Sequence, residues 1–384
     1  MTKLPVSNSL KIAKPLCESA SAGSREVLSE EIFKRMIAIE RKRSGRSMEP
    51  FLLMLLEAGR PQELGKNGKT LDGVACALLS CTRETDVIGW YKERTTVGVL
   101  YTSLLVKDKS AAQSIILNKV SSALRNELMC DPFDQISISF HFYPDDWDRD
   151  DSGNLPDSSL YPDLFSPDNR RRSALVLKRV MDIIGSALLL ILCAPLLVMI
   201  ALAVTMSSKG AVLFTQRRVG QYGRPFTFLK FRSMQSDNDH NVHKQFIKQL
   251  IADEAGHLAS NGNGERIYKL TNDKRVTRVG KFLRKTSVDE LPQLLNVLKG
   301  DMSLVGPRPP IPYEVAVYMP WHRRRVLEVK PGITGLWQIS GRSRVKFDEM
   351  VRMDLRYATS WTPWLDLKIL MKTPLAVIKG AGAH

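Results

Sequence analysis

Paired cysteines are absent from the sequence. Its five cysteines are scattered over 384 residues, and no two of them form a C-x-x-C pair. This spacing excludes a zinc ribbon and argues against a small disulfide scaffold. An apolar segment of the signal-peptide kind is also missing from residues 1–24, which we predict to be a disordered leader. The composition, 43% hydrophobic and 25% charged, is typical of a chain that buries a core.

Acidic residues are scarce in the second half of the chain. Residues 1–168 hold 21 Lys and Arg against 24 Asp and Glu, whereas residues 169–384 hold 35 against 16. A nearly neutral part therefore precedes a strongly basic part, which indicates two modules with different partners. A basic module of this kind faces nucleic acid, anionic lipid or phosphorylated substrates.

The first module, residues 25–144, has the pattern of an α/β domain. After a helix with one apolar stripe over 24–43, the hydrophobic periodicity predicts strands and helices in the order β-α-β-β-α-β. This order is typical of a ferredoxin-like sandwich. Residues 145–172 are rich in Asp, Pro and Ser, and we predict an acidic linker there.

Residues 183–206 are 24 residues without a charge, long enough to cross a bilayer. Pro195 lies in the middle and should break or kink a helix. Five basic residues in 170–179 and six in 209–232 flank the segment. Because basic flanks favour the cytoplasmic side, both ends should lie there. We therefore favour a re-entrant helix–break–helix; a bent membrane span and a buried soluble helix are the alternatives.

The most informative segment for chemistry runs from Leu283 to Pro309. Ser287 and Glu290 have the spacing of a capping box, which predicts a helix ending at Gly300, although Pro292 would move its start to Asp289. A helix N-terminus would keep the carboxylates of Asp289 and Glu290 ionised. They could merely cap the helix. Alternatively, an ionised Asp289 could attack a phosphorus atom while Glu290 holds a divalent cation.

Several basic residues of the same module could bind phosphate. Arg308 lies between Pro307 and Pro309, which fix the backbone around it, and a guanidinium suits phosphate oxygens. Lys230 and Arg232 alternate with apolar residues and should share one face of a strand. Each could instead belong to a solvated basic face. The candidate phosphate or nucleotide ligands are Lys230, Arg232, Arg284, Arg308 and Gln338; Pro195, Pro292, Pro307 and Pro309 are candidate structural or membrane residues.

At these residues the sequence resembles a known family. Residues 175–384 are similar to the bacterial sugar transferases, the monotopic phosphoglycosyl transferases. The resemblance rests on the order of its motifs: Lys178-Arg-Val-Met-Asp182, Gln216-x-Arg218-x-Gly220, Lys230-x-Arg-Ser-Met234, Ser287-x-Asp-Glu-Leu-Pro-Gln293, Gly300-Asp-Met-Ser303, Gly306-Pro-Arg-Pro309 and Pro331-Gly-x-Thr-Gly335. One departure is Ala194, where many members have Ser before the helix-breaking proline.

The resemblance implies a reaction. A sugar-1-phosphate passes from a UDP-sugar to undecaprenyl (polyprenyl) phosphate and UMP leaves, which initiates exopolysaccharide, capsule or O-antigen synthesis. Asp289 matches the family's nucleophile, and Glu290 matches the neighbour that engages Mg²⁺. A mainly α, monotopic membrane domain over 173–384 follows, on the cytoplasmic side of the bacterial inner membrane. The implied partners are the two substrates and membrane lipid; no nucleic acid is implied, and a homodimer is open.

The first module resembles, more faintly, a degenerate diguanylate-cyclase-type domain. The hairpin that should carry the family's Gly-Gly-Asp-Glu-Phe signature reads Lys92-Glu-Arg-Thr-Thr96. We therefore expect no cyclase activity and a regulatory, dimerisation or docking role.

Two rival functions stay open on the sequence alone. One is an ordinary glycosyltransferase, which would release UDP rather than UMP. The other is a non-catalytic membrane scaffold or regulator of a polysaccharide assembly complex.

Overall fold

The computed structural model describes residues 26–58, 64–102, 104, 108–128, 136–145, 156–165, 169–207, 209–234, 276–340 and 345–378. The predicted leader over residues 1–24 lies outside them. The chain divides into two compact units, Met1–Asp145 with Asp157–Ser166, and Asp146–Pro156 with Pro167–His384.

The first unit is a mixed α/β unit with one antiparallel sheet. Its helices are α1 (Glu30–Ser47), α2 (Leu64–Cys81) and α3 (Lys109–Leu128), and its strands are β1 (Phe51–Ala58), β2 (Val87–Lys92), β3 (Thr96–Tyr101) and β4 (Ile136–Tyr143). The sheet order is β2-β3-β1-β4, and β1 pairs antiparallel with both β3 and β4. After α1, the predicted order β-α-β-β-α-β is confirmed.

Strand β1 is buried because both of its neighbours and both sheet faces cover it. Leu52, Met54 and Leu56 belong to the main hydrophobic cluster, which also contains residues of α2 and α3. On α1, Phe33 contacts the paired glycines Gly89 and Gly98, where a side chain on either glycine would overlap the ring. Cys76 of α2 is disulfide-bonded, whereas Cys193 carries a free thiol.

Part of the predicted linker is folded onto the first unit. A 3₁₀ turn (Ser158–Leu160) and the short helix α4 (Pro162–Phe165) follow residue 156. The buried guanidinium of Arg41 makes a bidentate pair with Asp163 at 2.9 Å and donates to the Leu160 carbonyl. His141 Nδ1 lies 2.5 Å from Asp157 Oδ2. The acidic residues of this segment therefore pair with side chains of the first unit, and residues 157–165 belong to that unit.

The second unit is mostly helical, with two small sheets. It contains α5 (Asn169–Ser207), the antiparallel hairpin β5 (Leu213–Val219) and β6 (Pro225–Phe231), then α6 (Arg278–Thr286), α7 (Gln293–Lys299) and β7 (Ser303–Val305), followed by α8 (Pro312–Val315), α9 (Pro320–Glu328), β8 (Gly332–Thr334), α10 (Leu336–Ser340), α11 (Phe347–Ser360) and α12 (Pro363–Ile378). Strands β7 and β8 pair in parallel. The hairpin predicted around residues 211–231 is confirmed.

Helix α5 continues through Pro195 as a single helix, so the predicted alternative of a break is wrong, and the alternative of a kink stays a prediction. A proline removes one helical hydrogen bond, whereas ending a helix among apolar residues would expose several backbone groups. Residues 173–207 are long and apolar enough to cross a membrane, and few of them are buried in the protein. Exposed apolar side chains follow the helix at Ile184, Leu188, Ile191, Leu192, Val198, Met199, Leu202 and Met206.

The opposite face of α5 is held by a buried polar network. Lys178 Nζ donates to the Val305 carbonyl (3.1 Å), to Tyr357 Oη (3.1 Å) and to Asp366 Oδ2 (2.6 Å). One turn later, Asp182 Oδ1 accepts hydrogen bonds from Ser303 Oγ and from the Leu304 N–H, both at 2.9 Å. The start of α5 is thus fixed to β7 by side chains that are satisfied within the protein.

Helix α12 has two different apolar faces. Leu365, Ile369 and Leu370 pack in the core together with Trp361, which precedes the helix. Trp364, Leu367, Met371 and Leu375 follow the other face and are exposed. A spacing of three and four residues places these four side chains in one stripe.

Candidate active site

The two candidate carboxylates lie in a tight turn between helices. Ser287 ends α6 in the left-handed conformation (φ 56°) and makes no side-chain cap, so the predicted capping box is wrong. Asp289 and Glu290 form part of a 3₁₀ turn (Val288–Glu290), and α7 begins only after the buried Pro292. Proline fixes the start of a helix because it needs no N–H partner there. The predicted end of this helix at Gly300, in the left-handed region, is confirmed.

Asp289 is a buried carboxyl surrounded by charges. Burial raises the pKa of Asp289 to about 6, and Glu290 adds to this increase. Lys230, Arg284 and Arg308 oppose it. With this pKa the carboxylate is ionised at neutral pH, as expected, although burial and not a helix N-terminus is the largest influence on the pKa. The carboxylate is less well solvated than an exposed one, which suits a nucleophile.

Lys230 is delivered to this carboxylate by the β5–β6 hairpin. Lys230 pairs with Phe214 in the hairpin register, and Nζ lies 4.9 Å from the Phe214 ring. Burial lowers the pKa of Lys230 to about 8, and Asp289 opposes this decrease. At neutral pH the two side chains are therefore oppositely charged. Arg232, predicted to share the face of Lys230, lies one residue beyond β6 and is buried; it is not among the main charges that act on Asp289.

Arg308 lies beside Glu290. Its Nη1 lies 3.8 Å from Glu290 Oε1, and nearly half of its side chain is exposed. Pro307 and Pro309, on either side of it, are buried. Arg308 is therefore a cation on a fixed loop that faces both the carboxylate pair and solvent, as a phosphate ligand must.

Gln338 hydrogen-bonds a neighbouring strand, and its role as a ligand stays a prediction. Its side-chain amide donates to the Ile333 carbonyl, within β8, at 3.1 Å. The structure therefore brings together Asp289, Glu290, Lys230, Arg284 and Arg308. It does not show Gln338 or Arg232 as part of that group.

Asn296 is a site residue that the sequence reasoning missed. It lies on the buried face of α7, where Oδ1 accepts from the Leu229 N–H (3.1 Å) and Nδ2 donates to the Thr227 carbonyl (2.7 Å). These two bonds continue the strand pairing of β6 and join the strand that carries Lys230 to the helix that follows Glu290. The available signal was a single amide within the apolar pattern of Leu294 to Val297.

The carboxylate pair could hold a divalent cation. Across the described residues no group of three His, Cys, Asp or Glu side chains has metal-binding geometry. Mg²⁺ needs fewer protein ligands, because it commonly binds one or two carboxylates together with substrate phosphates and water. Glu290 is partly exposed and only loosely paired with Arg308, so the donor set fits a cation that also contacts a bound diphosphate.

The sequence model of the family described as bacterial sugar transferase matches residues 173–380, more than half of the chain. This chain belongs to the bacterial sugar transferase family. The match includes all five residues of the site, so the carboxylate turn, β6 and the Arg308 loop are parts of the family's domain.

Three relatives show how far the similarity extends. The galactosyl transferase CpsE of Streptococcus agalactiae is 45% identical over 212 residues, 55% of this chain and 44% of the relative. The undecaprenyl-phosphate galactose phosphotransferase of Salmonella typhimurium is 43% identical over 214 residues, which are 56% of this chain and 43% of the relative. The exopolysaccharide production protein ExoY of Rhizobium meliloti is 40% identical over 209 residues, which are 54% of this chain and 88% of the relative. This sugar transferase thus spans less than half the length of the first two relatives.

For the first unit, a DGC protein from Thermotoga maritima is similar in structure over 32% of this chain and 85% of that protein. The TM-score is 0.25 and the identity 18%. A similarity at this level supports no statement about the first unit.

The raised pKa of Asp289 predicts a change in stability. The native pKa of about 6 lies above the usual 3.8, so the ionised carboxylate destabilises the native state above pH 6. Asp289→Asn should therefore raise the free energy of unfolding by about 1–3 kcal/mol at pH 7.5, since a pKa unit corresponds to about 1.4 kcal/mol. The gain should shrink as the pH falls from 6 to 4, because the wild type then binds the proton.

Thermal unfolding in detergent across this pH range measures the effect. Glu349→Gln, at an exposed carboxylate, is the control and should change the melting temperature little at any pH. An Asn variant that is less stable than the wild type at pH 7.5 would contradict the account of Asp289.

Proposed function

We propose that this sugar transferase is a phosphoglycosyl transferase. It transfers a sugar-1-phosphate from a UDP-sugar to undecaprenyl phosphate, releases UMP, and starts exopolysaccharide, capsule or O-antigen synthesis. The observation that carries the proposal is the buried, ionised Asp289 with Lys230, Arg284 and Arg308 around it, in a family member. The Salmonella relative is named for the transfer of galactose phosphate to undecaprenyl phosphate.

The proposed reaction has two displacements at one phosphorus atom. An Asp289 oxygen attacks the phosphorus that carries the sugar, the bond to the bridging oxygen breaks, and UMP leaves with that oxygen. A phosphosugar ester on Asp289 remains. An oxygen of undecaprenyl phosphate then attacks the same phosphorus, and the Asp289 carboxylate leaves. Two displacements allow the UDP-sugar and the undecaprenyl phosphate to be bound and oriented in separate steps.

The surrounding cations give the site its selectivity for a diphosphate. A carboxylate and a diphosphate repel each other, and the charges of Lys230 and Arg308 offset that repulsion. Their charges act strongly because water is largely excluded from the turn. Glu290, with Asp289 beside it, would hold Mg²⁺, which would supply further neutralisation of the diphosphate when bound.

The first prediction for this reaction concerns Asp289→Asn. An amide cannot act as the anionic nucleophile, so UMP release should fall roughly 10³-fold or more while the protein still inserts into membranes. With UDP-sugar and no acceptor, the intact mass of the wild type should rise by one sugar phosphate, and that of the Asn variant should not. A panel of UDP-sugars assayed for UMP identifies the sugar. Substantial UMP release by a sequence-verified Asn variant, or release of UDP instead of UMP, would rule the mechanism out.

The second prediction concerns the metal. Excess chelator should stop UMP release, and added Mg²⁺ should restore it. Glu290→Gln should lower the rate and raise the Mg²⁺ concentration needed for half-maximal rate, because one carboxylate ligand is lost. Glu349→Gln on the exposed face of α11 is the matched control and should leave this concentration unchanged. Full activity in chelator would remove the metal from the proposal.

We also propose that α5, kinked at Pro195, enters one leaflet and returns, with the second unit on the cytoplasmic face of the inner membrane. Support comes from contacts of the helix with a single folded body. Leu190 packs in the cluster around β7, and Leu197 packs in the cluster around Phe231 and Leu283. Only six residues lie between them, about 9 Å of helix, whereas a bilayer core is about 30 Å thick.

The third prediction tests this topology in intact cells. The full chain, with its native cysteines replaced by serine, carries a single cysteine at Ser173 or at Lys209, both exposed next to the apolar helix. Both should resist a membrane-impermeant maleimide until the cells are opened. A periplasmic protein labelled in the same cells shows that the reagent reaches its compartment, and UMP release shows that the cysteine-free chain is folded. Labelling of Ser173→Cys from outside, with Lys209→Cys protected, would show a membrane span.

For the first unit we propose a ferredoxin-like, non-cyclase regulatory or dimerisation domain, also cytoplasmic. The antiparallel order β2-β3-β1-β4 supports the ferredoxin-like topology. The Lys92–Thr96 hairpin reads Lys-Glu-Arg-Thr-Thr in place of the Gly-Gly-Asp-Glu-Phe signature that cyclase chemistry would use.

A further inference from the structure

The loop that carries Arg308 is held entirely through its carbonyl oxygens. Three of the four residues 307–310 are prolines, which have no backbone N–H to donate. Each carbonyl of the loop accepts a hydrogen bond from a different residue. The pairs are Gly332 N–H to Pro307 (2.8 Å), Arg325 Nη2 to Arg308 (3.3 Å), Arg218 Nη1 to Pro309 (2.7 Å) and Val219 N–H to Pro310 (2.9 Å).

The shortest of these bonds comes from Arg218, at the end of β5. Its side chain is 5% exposed, its Nε donates to Gln216 Oε1 at 3.0 Å, and its guanidinium lies 5.0 Å from the Phe228 ring. A guanidinium enclosed in this way cannot reach a substrate phosphate. Its charge and its donors are directed at the loop.

Arg218 and Lys230 are placed by the same hairpin. In the antiparallel register Arg218 is opposite Phe226 and Lys230 is opposite Phe214, so both cations point from one face of the two-stranded sheet. The charge of Lys230 acts directly on Asp289. Arg218 acts on the same site indirectly, through the Pro309 carbonyl and Arg308. The hairpin thus sets the positions of two cations of the site relative to each other.

Arg308 depends on this support more than a buried residue would. Nearly half of its side chain is exposed, and it has a distant ion-pair partner, Glu290, at 3.8 Å. A long exposed side chain keeps its rotamer freedom, so the position of its guanidinium is defined mainly by the backbone that carries it. A loop shift of about 1 Å at a reacting group can lower a rate roughly 100-fold.

We propose that Arg218 is a positioning residue for the phosphoryl transfer. It holds the Pro309 carbonyl so that Arg308 meets the diphosphate of the bound UDP-sugar beside Asp289. This inference rests on the proposed function, because it assigns Arg308 to the substrate diphosphate. Arg218 itself makes no contact with substrate.

The test is a double-mutant cycle in the full-length protein. Arg218→Met, Arg308→Ala and the double variant are compared for the single-turnover rate at which UDP-sugar adds a sugar phosphate to Asp289, measured by intact mass. Arg218→Met should slow this step roughly 10- to 100-fold. In the Arg308→Ala background, Arg218→Met should lower the single-turnover rate less than about twofold, because the guanidinium that Arg218 positions is absent. A merely structural role would lower the rate by the same factor in both backgrounds.

Arg217 provides the matched control. It is adjacent on β5, carries the same charge and is exposed on the opposite face of the strand, so Arg217→Met should change the rate less than about twofold. If Arg218→Met does not fold, as shown by thermal unfolding, the cycle is repeated with Arg218→Lys. Lysine keeps the charge but cannot bond Pro309 and Gln216 together, so a smaller loss that again vanishes without Arg308 is expected.

The outcomes separate the two levels of the argument. Equal fold-losses in both backgrounds, or a wild-type rate for Arg218→Met, would overturn the positioning role while leaving the proposed function intact. A wild-type protein that forms neither the phosphosugar adduct nor UMP would overturn the proposed function, and this inference with it.

Discussion

The buried contacts between α5 and β7 are the constraint on which the rest of the second unit depends. Lys178 and Asp182 lie one turn apart at the start of an otherwise apolar helix, and both are satisfied by groups of β7, α11 and α12. Lys178 forms a buried ion pair with Asp366 of α12. Removing one member of such a pair costs about 3–5 kcal/mol, so the helix and the folded body cannot easily separate. Directly after β7 the chain passes through Gly306 into the loop of Arg308. The segment with the membrane-like composition is thus tied to the strand that leads into the site.

Close backbone approach makes this arrangement possible. At Gly332, a side chain would overlap the backbone of Gly306, and at Gly306 it would overlap the Lys330 carbonyl. The parallel pairing of β7 and β8 therefore requires glycine at both positions. It also brings the Gly332 N–H within 2.8 Å of the Pro307 carbonyl. Packing of the core and positioning of the loop are two results of the same contact.

Opposing electrostatic effects act on the site. Burying an ionised carboxylate costs free energy, and the pKa of Asp289 rises to about 6 although Lys230, Arg284 and Arg308 surround it. The cations in turn repel one another: Arg308 helps to lower the pKa of the buried Arg218 to about 10 and that of Lys230 to about 8. Such mutual destabilisation without substrate favours binding of a group with several negative charges, which a sugar nucleotide and a polyprenyl phosphate both carry. We infer that the site is built for exchange between two phosphorylated molecules.

The sequence by itself determined the order of the elements, the location of the carboxylates and most of the cations. Periodicity found the strands of the first unit and the β5–β6 hairpin, and motif order found Asp289, Glu290 and Arg308, because both signals are local in the chain. It failed where long-range packing competes with local rules. Ser287 adopts the left-handed conformation instead of forming a capping box, and α7 begins only at Gln293. Pro195 does not end α5. Long-range packing, by contrast, buries Asp289, lets Gln338 hydrogen-bond β8, and places Asn296 and Arg218 where they support the site. Burial and hydrogen-bond partners depend on residues far apart in the chain, 91 positions for Arg218 and Pro309 and 188 for Lys178 and Asp366, and no local pattern encodes such pairs.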